Sequence, residues 1–351
     1  MEVNKFLFEA SQKSGASGYE DEISNLVKEV FSPFVDDIKR DKLGNLITLK
    51  KGSINSPRRL KIMMAAHMDE IGLMVTKIDK NGFLRFANIG GIDYRVLLSQ
   101  EVLIGENKVY GVIGMMSTHM QSEEDRKKSI KTEEMFIDTG LCKEEVEKKI
   151  KVGDHIIIKR APIEILNECL SGKSLDDRAG VAVMLHCLKE LTTLKHYADV
   201  YAVATVQEEV GLRGAMVSSY SINPDIGIAI DVCHGDMPGV PEEETSKLSK
   251  GPVISIGPNF HPWLNKKLIE VAEENNIPYQ INSTPGASGT DAWAIQITKA
   301  GIPTVLISIP LRYMHTSVET LSIKDIKTAG KLLSRFILSL NTIEKEVLTC
   351  F

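Results

Sequence analysis

Long apolar stretches are missing from this sequence. No run approaches the roughly 18 uninterrupted apolar residues that a membrane-spanning helix requires. Residues 1–15 contain no basic segment followed by an apolar core, and no small-residue cleavage site is present there. We therefore expect neither membrane insertion nor export, and we predict a cytoplasmic location.

Cysteine pairs are missing as well. The five cysteines are odd in number, widely spaced and free of any CxxC arrangement, which argues against a disulfide framework. They are Cys142, Cys169, Cys187, Cys233 and Cys350. Such usage fits the reducing conditions of the cytosol.

Clustered positive charge is the third absence. The chain has 42 Lys and Arg against 47 Asp and Glu, a formal charge of −5, and its basic residues are scattered. Because binding to a phosphate backbone needs a basic surface, we expect no nucleic-acid partner.

The chain does contain a regular alternation of helical and strand patterns. Hydrophobic residues make up 43% of its 351 residues, enough for a large core. Residues 1–30 have helical spacing, a strand is predicted over 36–51 and another over 60–66, and strands alternate with helices after Leu170. This predicts an α/β fold with a mixed, mostly parallel central sheet flanked by helices.

A β-rich segment interrupts this alternation. Residues 71–165 consist mainly of short strand-like runs broken by glycine, with one helical patch at 143–150. The segment predicts a small β-barrel inserted into a discontinuous main domain formed by residues 1–70 and 166–351.

Polar side chains follow the buried-looking strands at the point where each strand ends. In open α/β sheets, ligands bind outside the carboxyl ends of the strands, so these side chains are expected to share one site. They are His67 and Asp69, Glu208 and Glu209, Asp231, His315, and the pair Asp176-Asp177 before a predicted helix.

The residue types in this set favour a metal centre. Two histidines with several carboxylates and no cysteine suit Zn²⁺, Co²⁺ or Mn²⁺, and the set is large enough for two ions sharing a carboxylate. Taken singly, each group has an ordinary explanation: Glu208-Glu209 as solvated charge, and Asp176-Asp177 as a helix cap. Their common position at the strand ends favours the metal site.

Six ordered blocks of the sequence carry a resemblance that covers nearly the whole chain. They are AAHMDEIGLMV, SGKSLDDRAGVAVML, VQEEVGLRGA, IAIDV with GDMPGV, PGASGTDAWAIQ and RYMHTSVE. The chain resembles the tetrahedral metallo-aminopeptidases, a family that includes glutamyl and deblocking aminopeptidases and proteins labelled endoglucanase or cellulase M. GGIDYRVLLSQEV is similar to that family's second domain.

The resemblance implies a zinc-peptidase-like fold and a set of metal ligands. His67 and Asp231 would bind one divalent ion, Glu209 and His315 would bind the other, and Asp176 would bridge the two ions. The ions would be Zn²⁺ or Co²⁺, with Mn²⁺ as a further candidate. A cis peptide bond is expected after Asp176.

The resemblance also implies roles for two further residues and an activity. Glu208 would be the general base for a hydroxide between the ions, and Asp69 would hold the His67 ring. The expected reaction is removal of the N-terminal residue from peptides with a free N-terminus. The barrel is expected to mediate dimerisation, with dimers assembling into a tetrahedral dodecamer.

Three other functions compete with this interpretation. They are a glycoside hydrolase, a deacylase or carboxypeptidase of the same clan, and a non-catalytic binding protein. Substrate preference stays open, because the run after Asp231 and the insert loop over residues 117–129 depart from the family. A preference for acidic N-terminal residues would require a cation in the pocket, with Arg213 and Arg312 as candidates.

Overall fold

The computed structural model describes residues 1–54, 59–120, 122–126, 130–340 and Leu348. Cys350 and part of the insert loop over 117–129 lie outside these residues. The helices are α1 (Val3–Gln12), α2 (Asp21–Phe31), α3 (Glu123–Arg126), α4 (Lys143–Lys149), α5 (Leu175–Leu191), α6 (Arg213–Ile222), α7 (Pro262–Glu274), α8 (Asp291–Gln296) and α9 (Ile323–Ser339). Within the described residues, no helix is both long and apolar enough to cross a membrane.

The strands divide between a large sheet and a closed barrel. They are β1 (Asp37–Arg40), β2 (Leu46–Lys50), β3 (Lys61–His67), β4 (Gly72–Ile78), β5 (Leu84–Ile89), β6 (Glu101–Ile104), β7 (Val109–Gly114), β8 (Phe136–Asp138), β9 (His155–Ile158), β10 (Ile163–Ile165), β11 (Cys169–Gly172), β12 (Asp199–Thr205), β13 (Ile226–His234), β14 (Val253–Ile256), β15 (Gln280–Ser283), β16 (Thr304–Arg312) and β17 (Glu319–Ser322).

The large sheet is mixed, as predicted, and has the order β1-β2-β12-β3-β13-β16-β17-β11-β10. Its parallel part is the central group β12, β3, β13 and β16. Antiparallel strands extend it on both sides, and β14 pairs antiparallel with β16 and parallel with β15. The α/β fold class is therefore confirmed, with parallel pairing concentrated at the centre.

The register of the central strands places the predicted site at one edge. Thr205 at the end of β12 pairs with His67 at the end of β3. Ala229 in β13 pairs with Ala65 in β3, two residues before Asp231 and His67. Because the strands are parallel, their polar ends meet outside the same edge.

The central strands hold this register because they are buried on both faces. From Ile62 to His67 every residue of β3 is buried, and each buried Ile or Met side chain stabilises the fold by about 1.5–3 kcal/mol. Helix α5 packs on β3 and β13 and is covered by α1 and α9. Slipping a strand by one residue would turn each of its side chains to the opposite face of the sheet. The packing on both faces opposes such a slip and therefore fixes which residues lie at the carboxyl edge.

The segment predicted as one strand over residues 36–51 is a hairpin of β1 and β2. Gly44 lies in its turn with φ +115°, a backbone conformation that side-chain-bearing residues rarely adopt. The chain reverses there, and β2 then pairs with β12 as a member of the large sheet.

The barrel has the strand order β4-β5-β8-β7-β6-β9 and its own apolar core. All six strands lie within the segment predicted to be inserted, residues 71–165. Strand β10 lies within the same segment but pairs with β11 in the large sheet. We therefore propose that the inserted domain ends near residue 160.

Candidate metal centre

The five predicted ligands lie around one cleft at the carboxyl edge of the parallel strands. His67 ends β3, Asp231 lies in β13, and Glu209 follows β12. Asp176 precedes the regular part of α5, and His315 lies between β16 and β17. All five line a single cavity with a volume of about 350 Å³.

Asp176 lies between the two histidines. Its Oδ1 is 3.1 Å from His67 Nε2, and its Oδ2 is 3.4 Å from His315 Nε2. The same His315 nitrogen is 3.4 Å from Glu209 Oε1. Each carboxylate oxygen of Asp176 therefore faces a different imidazole, which is the arrangement needed for one carboxylate to bridge two ions.

Both imidazoles are oriented by acceptors on their outer side. His67 Nδ1 lies 3.1 Å from the backbone oxygen of Asp69, and His315 Nδ1 lies 2.7 Å from the backbone oxygen of Gly91. Because a carbonyl oxygen can only accept, the proton of each neutral ring belongs on Nδ1. The Nε2 lone pairs then point into the cleft, as they do in metal-ligating histidines.

Asp177 has a different function from Asp176. Its Oδ1 accepts a hydrogen bond from the backbone N–H of Gly180 at 2.9 Å, the contact that caps a helix N-terminus. A Cβ on Gly180 would lie 2.5 Å from Asp177 Oδ2, so glycine is required beside the cap. The helix-cap explanation is thus correct for Asp177, while Asp176 faces the cleft. The bond between them is cis, as predicted.

Asp69 was predicted to hold the His67 ring, and in the structure it also contacts the loop that carries Glu208 and Glu209. Its Oδ1 is 3.5 Å from His67 Nδ1 and accepts a 3.0 Å hydrogen bond from the backbone N–H of Glu208. Its Oδ2 accepts one from the N–H of Glu209 at 3.3 Å. Asp69 is fully buried and therefore fixes the loop that carries the predicted base and one predicted ligand.

Glu319 was missed by the sequence reasoning. This buried carboxylate accepts hydrogen bonds from the backbone N–H groups of Leu175 at 2.7 Å, Asp176 at 3.2 Å and His315 at 2.9 Å. It ties together the two loops that bring Asp176 and His315 to the cleft. Its position four residues after His315 was the available signal, but an acidic residue at the start of a strand has no distinctive pattern.

The cleft concentrates several buried acidic groups around two histidines. Burial raises the pKa of Glu208 to about 10, against the opposing effect of His67 and with the help of Asp231. Burial also raises the pKa of Asp231 well above its usual range, and that of Glu209 to a lesser degree. A site that resists ionisation in this way is one that bound cations would stabilise.

The pKa values of the two histidines are raised as well, but for an imidazole this favours the charged form. Hydrogen bonds to Asp176 and Glu209 raise the pKa of His315 to about 11. Burial works to lower the pKa of His67, yet contacts with Asp176 and Asp69 raise it well above its usual value. Divalent ions between these groups would take over the role of the protons.

The donor set fits divalent metal ions. One group of ligand atoms, within 4.8 Å of one another, comes from His67, Asp176 and Glu209. A second group comes from His67, Asp231 and Asp177, which caps α5 through Oδ1 and was not among the predicted ligands. Buried carboxylates and imidazoles with inward Nε2 atoms are ligands for Zn²⁺ and similar ions. Their roles as ligands stay a prediction.

Away from the predicted ligands, the cavity wall is mostly uncharged and polar. Ser246, Ser255, Asn282 and Thr284 lie along it, together with the carboxylate of Glu244. Cys233 and His234 also line the cavity, and no metal role was predicted for either.

Neither candidate cation lies in the cavity wall. Arg312 pairs with Asp236 at 2.8 Å, and Arg213 donates to Gln207 Oε1 at 3.3 Å. Among the described residues, the wall contains no Lys or Arg.

Comparison with known proteins agrees with the sequence resemblance. The pattern of the M42 glutamyl aminopeptidase family matches residues 44–332. The chain is 38% identical over 327 residues to the lysyl aminopeptidase of Pyrococcus furiosus, with 92% of each protein covered. The structure of aminopeptidase APDkam598 from the archaeon Desulfurococcus kamchatkensis matches with a TM-score of 0.89 at 40% identity, covering 99% of this chain and 96% of the other. That of the TET1 peptidase of Pyrococcus horikoshii matches with a TM-score of 0.85 at 34% identity, covering 97% and 100%. The chain therefore belongs to the M42 glutamyl aminopeptidase family.

Proposed function

We propose that this aminopeptidase removes the N-terminal residue of peptides at a centre of two divalent ions, Zn²⁺, Co²⁺ or Mn²⁺. The observation that carries the proposal is the placement of Asp176, whose two oxygens face Nε2 of His67 and Nε2 of His315. Asp231 would complete the site on the His67 side and Glu209 the site on the His315 side. When bound, the ions would polarise the scissile carbonyl and lower the pKa of a water molecule.

Glu208 would take the proton from the attacking water and pass it to the leaving amine. Its side chain is buried at the cavity wall, with Oε2 4.0 Å from His67 Nε2. The hydrogen bond from the Glu208 backbone to Asp69 holds it there. Glu209, the next residue, faces His315 instead, so the two neighbouring carboxylates would divide proton transfer and ligation between them.

We further propose that basic N-terminal residues are preferred. Glu244 is the acidic residue on the cavity wall outside the proposed ligands and base, and the described part of the wall has no cation to attract an acidic side chain. The related protein from Pyrococcus furiosus is a lysyl aminopeptidase. An ammonium or guanidinium group would be attracted by Glu244, and a carboxylate would be repelled.

A substrate panel tests both proposals. Lysyl and arginyl anilides are expected to give kcat/KM values at least about tenfold above glutamyl anilide, the effect of exchanging a weak attraction for a weak repulsion. Three control substrates test the competing functions. N-acetylated peptides test for a deacylase, peptides assayed for release of the C-terminal residue test for a carboxypeptidase, and soluble β-glucan tests for a glycoside hydrolase. Faster cleavage of any control than of free-amine substrates would contradict the aminopeptidase assignment. Equal rates for lysyl and glutamyl anilides would contradict only the preference.

We also propose that the chain forms a homo-oligomer in which dimers assemble into a tetrahedral dodecamer. The related TET1 peptidase of Pyrococcus horikoshii assembles into a tetrahedron or a large octahedral shell. Light scattering during size-exclusion chromatography is expected to give a mass many times the 38.8 kDa of one chain. A stable monomer would contradict this. The cytoplasmic location stays a prediction from the sequence.

A further inference from the structure

We propose that the turn between α1 and α2, residues 14–20, positions the loop that carries the general base, with Glu20 and Ser17 as the positioning residues. We call these residues the N-terminal turn, and residues 207–209 the base loop. The inference rests on the proposed role of Glu208. The sequence reasoning assigned the N-terminal turn no function.

The base loop presents three consecutive backbone N–H groups to two carboxylates. Glu20 Oε1 accepts from Gln207 at 3.2 Å, while Asp69 accepts from Glu208 at 3.0 Å and from Glu209 at 3.3 Å. Glu20 and Asp69 are both buried. Removing Glu20 would leave one partly buried N–H group unpaired and removing Asp69 would leave two N–H groups unpaired, which the loop would relieve by moving.

Gln207 is the point where the loop most needs an external acceptor. It has φ +55°, in the left-handed region that residues with a side chain adopt only when their surroundings enforce it. Glu20 supplies that constraint, and the same oxygen is itself fixed by a 2.7 Å hydrogen bond from the backbone N–H of Gly18. Turning Gln207 would redirect Glu208, the residue that follows it.

Ser17 helps to hold the Asp69 carboxylate in position. Its hydroxyl donates to Asp69 Oδ2 at 2.6 Å, the oxygen that also accepts from Glu209. Without this hydroxyl, the Asp69 carboxylate would lose one of the contacts that fix its rotation about the bond to Cβ. The two backbone contacts to the base loop would then loosen together.

The N-terminal turn is itself anchored to the site. Glu70 donates its backbone N–H to Gly15 O at 2.8 Å, and Ala16 forms an isolated bridge with Glu70. The fully buried Arg178 donates to Lys13 O at 2.7 Å and pairs with Glu70 at 3.2 Å. The turn therefore moves with the segments that carry His67 and Asp176, and it can serve as a fixed reference for the base loop.

Four variants test the proposal in the full-length, metal-loaded enzyme. Glu20→Ala removes the acceptor, Glu20→Gln keeps an oxygen acceptor, Ser17→Ala removes the hydroxyl, and Glu29→Ala on the exposed side of α2 is the control. For each variant, kcat, KM, bound metal by mass spectrometry and the melting temperature are measured.

We expect Glu20→Ala to lower kcat about 30-fold and Ser17→Ala about fivefold, since small misplacements of a catalytic group cost up to about 100-fold. KM and bound metal should stay within about twofold of the parent values, and Glu20→Gln should recover most of the lost kcat. Glu29→Ala should match the parent.

Three outcomes would overturn the inference: an unchanged kcat in Glu20→Ala, a loss proportional to lost metal or lost folded protein, or no recovery in Glu20→Gln. If Glu208→Gln were instead fully active, the proposed role of Glu208 would fail, whatever these variants show.

Discussion

Replacing Glu208 with Gln is expected to lower kcat about 1,000-fold, within the range of about 10²–10⁴ that a positioned general base contributes. The amide has nearly the same shape and can still accept hydrogen bonds, but it cannot take a proton from water. The backbone contact from residue 208 to Asp69 does not involve the side chain, so the loop should keep its position. KM and bound metal should therefore change little.

Steady-state kinetics and metal analysis of the same preparation check this expectation. Glu243→Gln, in the exposed segment that precedes Glu244, is the matched control and should behave as the parent. Near-normal turnover of Glu208→Gln would show that another group transfers the proton. Loss of metal from this variant would show that Glu208 is a ligand and not the base.

Removal of metal is expected to lower the rate of cleavage at least as much as the replacement of Glu208. Treatment with a chelator should abolish cleavage of N-terminal anilides, and adding Zn²⁺, Co²⁺ or Mn²⁺ should restore it, because the proposed ions polarise the scissile carbonyl and lower the pKa of the attacking water. Restoration should be complete at two ions per chain. Asp176→Ala, which removes the proposed bridge, should bind fewer than two.

Mass spectrometry of the protein under native conditions counts the bound ions directly. Activity that survives exhaustive chelation would contradict a metal mechanism and would reopen the carboxylate-pair chemistry of a glycoside hydrolase. Full activity with one ion per chain would leave the metal mechanism intact but contradict the bridging role of Asp176.

The sequence predicted the candidate site better than its surroundings. His67, Glu209 and Asp231 could be found because each lies in or just after an apolar strand of a parallel sheet, where position along the chain fixes position in space. Asp176 could be found as part of a helix start. Glu319, Glu20 and Ser17 could not, because each reaches the site by a contact that no local pattern predicts.

For the fold as well, some elements could be predicted from the sequence and others could not. The strand-like runs within residues 71–165 and the alternation of strands and helices after Leu170 could be predicted because their apolar residues are continuous or alternate regularly. Helix α6 and strands β14 and β15 were missed. Helix α6 contains three serines, and β14 and β15 are only four residues long, so packing in the folded protein decides their structure more than sequence pattern does.

The hydrogen bond from His315 Nδ1 to Gly91 O crosses between the two parts of the molecule. Gly91 belongs to the segment between β5 and β6, so the barrel provides the acceptor that orients a histidine of the main domain. A Cβ at Gly91 would lie 3.2 Å from the same nitrogen, which leaves little tolerance at this junction. The inserted barrel therefore cannot be replaced freely by the barrel of a relative. Chimeras that graft a relative's barrel onto this scaffold will function only if the graft restores that one carbonyl.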